Sequence, residues 1–147
     1  CRINALLEEE HIKKSQISSS GSSSITYILD AIDTVSAKIA LAAYADEHSI
    51  PLISSMGTGN KLHPELFRIS DLKDTSVCPL CRVMRKELKT RGIQSLKVCW
   101  SPEKPLTPAP AEEDTGSRRS TPGSISFVPP AAGLMIAGEI VRNICGL

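Results

Sequence analysis

The middle of the chain alternates short apolar runs with a longer stretch of helical periodicity. Residues 27–29 (YIL) and 50–53 (IPLI) are apolar runs, as expected for strands buried in a parallel sheet. Between them, residues 34–46 carry apolar side chains at roughly helical spacing, after an Asp-Thr pair suited to a helix start. This order predicts two adjacent parallel strands, joined in a right-handed crossover by a helix over residues 34–48.

The second half of the chain continues the α/β pattern. The remaining predicted elements are strands at residues 66–70, 96–100 and 125–128, a helix between a cap at residues 74–76 and Gly92, with Pro79 in its first turn, and a helix over residues 131–145. Together these elements predict part of a doubly wound, Rossmann-like sheet, and thus an α/β fold class.

Two segments do not fit this pattern. Residues 1–24 are weakly patterned and end in a serine-rich stretch at 15–24, which predicts a flexible loop. Residues 102–122 combine several prolines with acidic and basic clusters and cannot bury enough apolar surface to fold alone. We therefore expect an N-terminal segment at residues 1–24 that does not fit the α/β pattern. A domain should follow over residues 25–147, interrupted by a flexible loop at 101–122.

The amino-acid composition is typical of a globular protein, and the cysteine content indicates a reducing compartment. Of the 147 residues, 41% are hydrophobic but only 3% are aromatic, so the core must rest on Ile, Leu, Val and Ala. A net charge of +1 is too small to indicate nucleic-acid binding by itself. Five cysteines with no secretory signal before them predict reduced thiols in the cytoplasm. Residues 127–145 are too short and too charged to span a membrane, so no membrane partner is expected.

Asp33 is the strongest single candidate for a functional residue. It follows the first predicted strand, and ligands of open α/β sheets bind outside the carboxyl ends of the strands. A carboxylate there can hold Mg²⁺ on a nucleotide phosphate. The alternative is that Asp33 only caps the following helix, which contributes about 1 kcal/mol. Asp30 points to the other side of the strand end by alternation, and we expect it to be structural.

Lys38 lies five residues after Asp33, in the predicted helix. It could reach a phosphate or a charge on an acyl substrate, while the simpler interpretation is a solvated lysine on a helix face. Residues 54–57 (SSMG) end the next strand beside this position, and could form either the floor of a pocket or only a turn of small residues. The GxG at residues 57–59 lacks the third glycine of a dinucleotide-binding loop.

Cys78 and Cys81 form a single CxxC. A structural zinc site needs four ligands, so the pair supplies half of one, and we predict free thiols unless further ligands are found. A redox role is another possibility, because a thiol at a helix N-terminus has a lowered pKa. Cys99 and Cys145 lie in predicted core elements, where free thiols are ordinarily buried.

The helix that follows the CxxC is rich in basic residues. Those predicted to share an exposed side are Arg82, Arg85, Lys86 and Lys89. Such a stripe can contact RNA phosphates, although charged helix faces are commonly only solvated, and aromatic residues that stack on bases are lacking. The apolar face is predicted to hold Leu80, Val83, Met84 and Leu88.

Two stretches of the sequence carry a family resemblance. They are DAIDTVSAK at residues 30–38 and IPLISSMGTGNKLHPELFRISDLKDTSVCPLCRVMRKELKTRGI at residues 50–93. Both resemble the ubiquitin-activating-enzyme-like adenylating family, the group of ThiF, MoeB and HesA. Within that family, the sequence is similar to the branch of tRNA threonylcarbamoyladenosine dehydratases. The resemblance runs from residue 27 to residue 146.

The resemblance implies an ATP-dependent enzyme. In the family, the acidic residue that matches Asp33 binds the Mg²⁺ of Mg-ATP, which assigns Ala31, Ile32 and Asp33 to the nucleotide. The resemblance also implies catalytic roles for Asp33 and for Lys38, because the family usually has a basic residue at the position of Lys38. The implied reaction adenylates the threonyl carboxylate of threonylcarbamoyladenosine in tRNA. AMP then leaves as the neighbouring carbamoyl group attacks and closes a ring, which needs no thioester on Cys99.

The same resemblance implies partners for the enzyme. They are tRNA, contacted by the basic helix, and a second copy of the full-length protein in a homodimer. A sulfur-transfer partner is left open.

Part of the family pattern has no match in this chain. Family members begin with a strand, a GxGGxGS loop and a helix whose N-terminus holds the triphosphate, and nothing before residue 27 matches them. We therefore expect the C-terminal part of a larger enzyme, inactive by itself. The alternatives are an adenylyltransferase that activates the C-terminus of a ubiquitin-like sulfur carrier, and an inactive fragment that serves only as an interaction module.

Overall fold

The computed structural model describes residues 25–107 and 123–147, so the predicted segment 1–24 and most of the predicted loop 101–122 lie outside the described residues. The elements are, in chain order, β1 (Ile28–Asp30), α1 (Val35–Glu47), β2 (Leu52–Ser55), a 3₁₀ turn (Pro64–Leu66), β3 (Arg68–Asp71), a second 3₁₀ turn (Leu72–Asp74), α2 (Pro79–Thr90), β4 (Lys97–Trp100) and α3 (Val128–Cys145). No helix in the two described ranges is long and apolar enough to cross a membrane.

The strands form one mixed sheet in the order β1-β2-β4-β3. β1 and β2 are parallel neighbours, with Asp30 opposite Ser54, and β2 pairs in parallel with β4. β3 is antiparallel to β4, with Arg68 opposite Trp100. The α/β class and the parallel pairing of the first two strands are therefore confirmed, and their carboxyl ends meet at one edge of the sheet.

Side chains alternate along β2 and β4 and fill two cores, one on each face of the sheet. Leu52 and Val98 face a core shared with α1 and α2, while Ile53 and Cys99 face a core shared with α3. The helical residues of the first core are Ile39, Ala42, Ala45, Cys81, Met84 and Leu88. Full burial of an Ile or Leu side chain stabilises a fold by roughly 1.5–3 kcal/mol. Helices on both faces give the sheet the layered arrangement of a doubly wound domain.

Three sequence predictions about the elements are wrong. The N-cap of α2 is Cys78, and not one of residues 74–76. Residues 125–128 do not form a strand: α3 begins at Val128, with prolines at its first positions. Proline suits a helix start, because its missing N–H would have no partner there and its φ is already helical. Val83 does not share the buried face of α2 and is 45% exposed, since Cys81, Met84 and Leu88 fill that face.

Candidate functional site

A cavity of about 980 Å³ opens at the carboxyl ends of β1 and β2. The loop that follows β1, residues 31–33, forms one wall, and the segment 55–60 after β2 forms another. The first turns of α2 and α3 also contribute to it through Pro79 and Pro129. The cavity lies where ligands bind in open α/β sheets. Residues 55–57 of the SSMG segment line it, which favours the pocket-floor interpretation of that segment over a turn alone.

Asp33 is exposed and lines this cavity together with Ala31 and Ile32. The N-cap residue of α1 is Thr34, which makes no side-chain hydrogen bond. Among the residues that the structure describes, none donates a hydrogen bond to the Asp33 carboxylate. The alternative that Asp33 caps the helix is therefore wrong, and its oxygen atoms remain available to a ligand.

Lys38 is buried, which excludes its interpretation as a solvated lysine on a helix face. Its Nζ donates to Asp30 Oδ2 across 3.0 Å, to Ser54 Oγ across 3.3 Å and to the Ser55 carbonyl across 2.8 Å. These three acceptors use all three protons of the ammonium group. Lys38 borders the cavity, but its charge is directed to the ends of two strands and not to the open space.

Asp30 is the buried partner of this lysine, in agreement with the structural role expected for it. Its Oδ2 accepts hydrogen bonds from Lys38 and from Ser54 Oγ, and its Oδ1 accepts one from the Ile32 backbone N–H across 2.9 Å. The Ile32 contact bends the chain directly after β1. The ion pair therefore sets the path of loop 31–33 and, through it, the position of Asp33.

Asn60 organises the far side of the cavity and has no counterpart among the residues predicted from sequence. Its positive φ of 56° suits asparagine better than most residues. Its backbone N–H donates to the Gly123 carbonyl across 2.8 Å, and its Oδ1 accepts from the Gly123 N–H across 2.6 Å. The Leu106 N–H donates to the Asn60 carbonyl across 2.8 Å. One residue thus holds two segments that are distant in sequence, and only the positive-φ tendency of asparagine is visible locally.

Glu103 strengthens the same junction. Its carboxylate accepts hydrogen bonds from the backbone N–H groups of Leu62 (2.9 Å) and His63 (3.2 Å). Its carbonyl accepts one from Lys61 Nζ across 2.6 Å. The described start of the loop predicted to be flexible, residues 101–107, is therefore tied to the segment that follows β2.

The two thiols of the CxxC are buried at the start of α2. The pKa of Cys78 is lowered, chiefly because its sulfur accepts a hydrogen bond from the Cys81 thiol, and further by backbone N–H groups of Cys81, Gly57 and Leu80. The pKa of Cys81 is raised by the same thiol contact, by burial and by the charge on Cys78. Among the described residues, no group of three or more His, Cys, Asp or Glu side chains could hold a metal ion.

The other two described cysteines behave differently. Cys99 is buried in β4, as predicted, and burial raises its pKa to about 11. Cys145 is exposed, so its assignment to the core is wrong. It is the last residue of α3, beyond the turns that pack on the sheet.

The basic stripe of α2 holds three of its four predicted members. Arg82, Lys86 and Lys89 are exposed. Arg85 is half-buried and turns back, so that its guanidinium donates to the Thr75 carbonyl across 2.9 Å and to the Leu72 carbonyl across 3.3 Å. Its place in an exposed stripe is therefore wrong, because it satisfies carbonyls of the turn before α2.

No protein-family model matches the chain. The tRNA threonylcarbamoyladenosine dehydratase of Bacillus subtilis is 34% identical to it over 129 residues, which are 82% of this chain and 51% of that protein. The chain therefore spans about half the length of this relative.

Solved structures show the same partial coverage. A structure described as TcdA (CsdL) matches 82% of this chain with 49% of its own, at 26% identity and a TM-score of 0.69. The Escherichia coli tRNA N6-threonylcarbamoyladenosine dehydratase TcdA, in complex with ATP, matches 80% of this chain with 50% of its own. That match has 25% identity and a TM-score of 0.55.

Proposed function

The chain belongs to the ThiF-like family of adenylating enzymes, and we propose that it is the C-terminal part of a tRNA threonylcarbamoyladenosine dehydratase. The complete enzyme binds ATP partly in the cavity at the carboxyl ends of β1 and β2. Support comes from the ATP complex of the E. coli structure and from the position of the cavity.

The observation that carries this proposal is the free carboxylate of Asp33 in the cavity wall. Its geometry and charge fit a Mg²⁺ ion on the phosphates of ATP, since this ion favours one or two carboxylates together with phosphate oxygens. When bound, Mg²⁺ would offset negative charge as pyrophosphate leaves. The backbone of Ala31 and Ile32, fixed by the Asp30 contact, orients that carboxylate.

Lys38 acts in this proposal as a positioning residue. All three protons of its ammonium group are engaged at the strand ends, so it supports the loop that carries Asp33 and does not bind a phosphate directly. This replaces the direct catalytic role that the family resemblance implies for Lys38.

The proposed reaction has two steps. The threonyl carboxylate of the modified adenosine attacks the α-phosphorus of ATP, which forms an acyl-adenylate and releases pyrophosphate. The neighbouring carbamoyl group then attacks the activated carbonyl, the bond to AMP breaks, and a ring closes. The enzyme contributes orientation of the two reacting groups and stabilisation of the developing charge.

We propose that tRNA contacts the exposed basic face of α2, formed by Arg82, Lys86 and Lys89. These side chains lie on the helix whose first turn borders the cavity, so bound tRNA would be near the nucleotide. The tRNA substrate favours a cytoplasmic enzyme. A homodimer of the full-length protein is proposed from the family resemblance, and α3 offers exposed apolar side chains for it in Leu134, Val141 and Ile144.

The test uses the full-length protein with tRNA that carries or lacks threonylcarbamoyladenosine. We expect AMP and pyrophosphate to be released only with the modified tRNA, together with a nucleoside whose mass is lower by one water. ATP–pyrophosphate exchange that responds to a ubiquitin-like protein and not to tRNA would contradict the proposal and favour the sulfur-carrier alternative.

A further inference from the structure

Cys78 and Cys81 are placed so that they can be joined without rebuilding the backbone. Cys78 is the N-cap residue of α2, and Cys81 is the third residue of the helix. Side chains three residues apart in a helix are neighbours on one face, and the Cα separation at this spacing lies within the range that disulfides span. Both thiols point into the protein and are 4% and 0% exposed.

The surroundings of this pair differ from those of an inert buried thiol. Cys78 is at the N-terminus of α2, and backbone N–H groups near this helix start lower the pKa of its thiol. The guanidinium of Arg85, held by the Thr75 carbonyl, brings a positive charge close to Cys81. Reactive cysteines are found at helix N-termini and beside cations, in partly exposed positions. Cys78 and Cys81 have the first two features but are buried, so the reagent reaches them only when the cavity wall at Pro79 and Leu80 opens. Cys99 has neither feature and experiences only burial, which makes it an internal reference.

We propose that Cys78 and Cys81 are a redox-active dithiol that closes to a disulfide by exchange with a low-molecular-weight disulfide of the glutathione type. The Cys78 thiolate attacks one sulfur of the reagent, so that a mixed disulfide forms and one glutathione thiolate leaves. Cys81 then loses its proton and attacks the Cys78 sulfur, which expels the second glutathione thiolate. In sum, two protein thiols are oxidised and one glutathione disulfide is reduced to two thiols.

The route to the pair runs through the cavity wall. Gly57, Pro79 and Leu80 line the cavity, and Cys78 and Cys81 flank Pro79 and Leu80 directly in the chain. The dithiol chemistry does not depend on the proposed function, since it uses only groups at the start of α2 and the turn after β2.

The experiment follows the full chain in glutathione buffers of increasing oxidised fraction. Samples are quenched in acid, alkylated and mapped by peptide mass spectrometry, and circular dichroism checks that each variant is folded. We expect the Cys78–Cys81 disulfide to accumulate in the folded chain and in the Cys99→Ser control alike. Cys81→Ser should stop at one glutathione on Cys78. Cys78→Ser should react at least ~10-fold more slowly at Cys81, because the rate follows the thiolate fraction.

Three results would overturn the proposal. The first is a disulfide that forms only after unfolding in urea. The second is a folded Cys81→Ser variant that carries no glutathione on Cys78. The third is equal reactivity of Cys78 and Cys99 towards glutathione disulfide, which would show that the helix start and Arg85 do not increase the reactivity of the pair.

Discussion

Lys38 Nζ lies 3.0 Å from Asp30 Oδ2, and both side chains are almost fully excluded from solvent. The pair joins the first turn of α1 to the end of β1 and, through Ser54, to the end of β2. Loop 31–33 is held between these anchors. The exposed carboxylate at the site therefore depends on a buried one for its position.

Replacing Lys38 by Met should destabilise the chain strongly. The substitution keeps most of the side-chain volume but leaves the Asp30 carboxylate buried without its cation, and breaking such a pair costs roughly 3–5 kcal/mol. Urea denaturation measures the change in the free energy of unfolding. Lys86→Met, on the exposed face of α2, is the matched control and should stay within about 0.5 kcal/mol. The double variant Asp30→Asn/Lys38→Met should recover part of the loss, and equal losses in the two lysine variants would refute the role of the pair.

Asp33→Asn should separate activity from stability. The amide keeps the shape of the side chain but removes the charge that fits Mg²⁺, so the rate of the full-length enzyme should fall by ~10² or more. The free energy of unfolding should change by less than about 0.5 kcal/mol, because the carboxylate is exposed. AMP release and urea denaturation are measured on the same preparations. Asp46→Asn, an exposed acid later in α1, should keep full activity, and an equally active Asp33→Asn would remove Asp33 from the site.

The contacts of Glu139 should make the free energy of unfolding decrease as the pH falls into the acid range. Its carboxylate accepts hydrogen bonds from Lys97 (2.7 Å), Asn143 and Arg142, and these contacts lower its pKa to about 2. Because the pKa is lower in the folded state, the contribution is complete above the unfolded value of about 4.3 and is lost as the pH falls through about 2. The contribution is about 1–2 kcal/mol, since Lys97 and Arg142 are partly exposed.

Glu139→Gln should flatten this part of the pH profile. The free energy of unfolding is measured from about pH 5 to about pH 2. Glu87→Gln removes an exposed pair with Arg91 and should change little. A profile that keeps its slope in Glu139→Gln would assign the acid sensitivity to other carboxylates.

The thiolate of Cys78 should persist to lower pH than an ordinary thiolate. The hydrogen bond from Cys81 is the largest cause of its lowered pKa, so Cys81→Ala should move the pKa upward, towards the ordinary value of about 8.5. Ultraviolet absorbance of the thiolate, recorded against pH, follows this change. Cys99→Ala serves as the control. An unchanged pKa of Cys78 in Cys81→Ala would contradict the hydrogen bond between the two thiols.

The basic face of α2 should contribute to the salt dependence of tRNA affinity. Replacing Arg82, Lys86 and Lys89 together by Gln should weaken binding by the full-length enzyme and lower the slope of log K against log salt by about 0.7–0.9 for each phosphate that is no longer neutralised. Filter binding over a salt series measures both quantities. Lys104→Gln, an exposed change outside α2, should leave the slope unaltered. Arg85 is left in place because it stabilises the turn before the helix.

Elements that depend on local periodicity could be predicted from the sequence, whereas contacts between distant parts of the chain could not. Apolar runs locate β1, β2 and the helix between them, because strand and helix spacing are written in neighbouring residues. The burial of Lys38 is invisible locally, since its acceptors come from strands before and after it in the chain. Prolines 129 and 130 are compatible with the end of a strand as a pattern, although the same residues suit the start of a helix.

The candidate site shows the same division. Asp33 is predictable because the carboxyl end of a strand can be read from sequence. The position of Arg85 is not, because the carbonyls of the preceding turn compete with water for its guanidinium. Asn60 gives no signal for its contacts with Leu106 and Gly123, which the fold brings together from distant parts of the chain.

The double attachment at Asn60 bears on how the length of this protein can vary. Leu106 and Gly123 both form hydrogen bonds with that one residue, so these two positions of the chain lie next to each other. When the two ends of a flexible connection are fixed in this way, doubling its length costs only about 0.6 kcal/mol of closure free energy. Insertions of different sizes, including a tag or a small reporter domain, could be accepted there while α3 and the cavity keep their places.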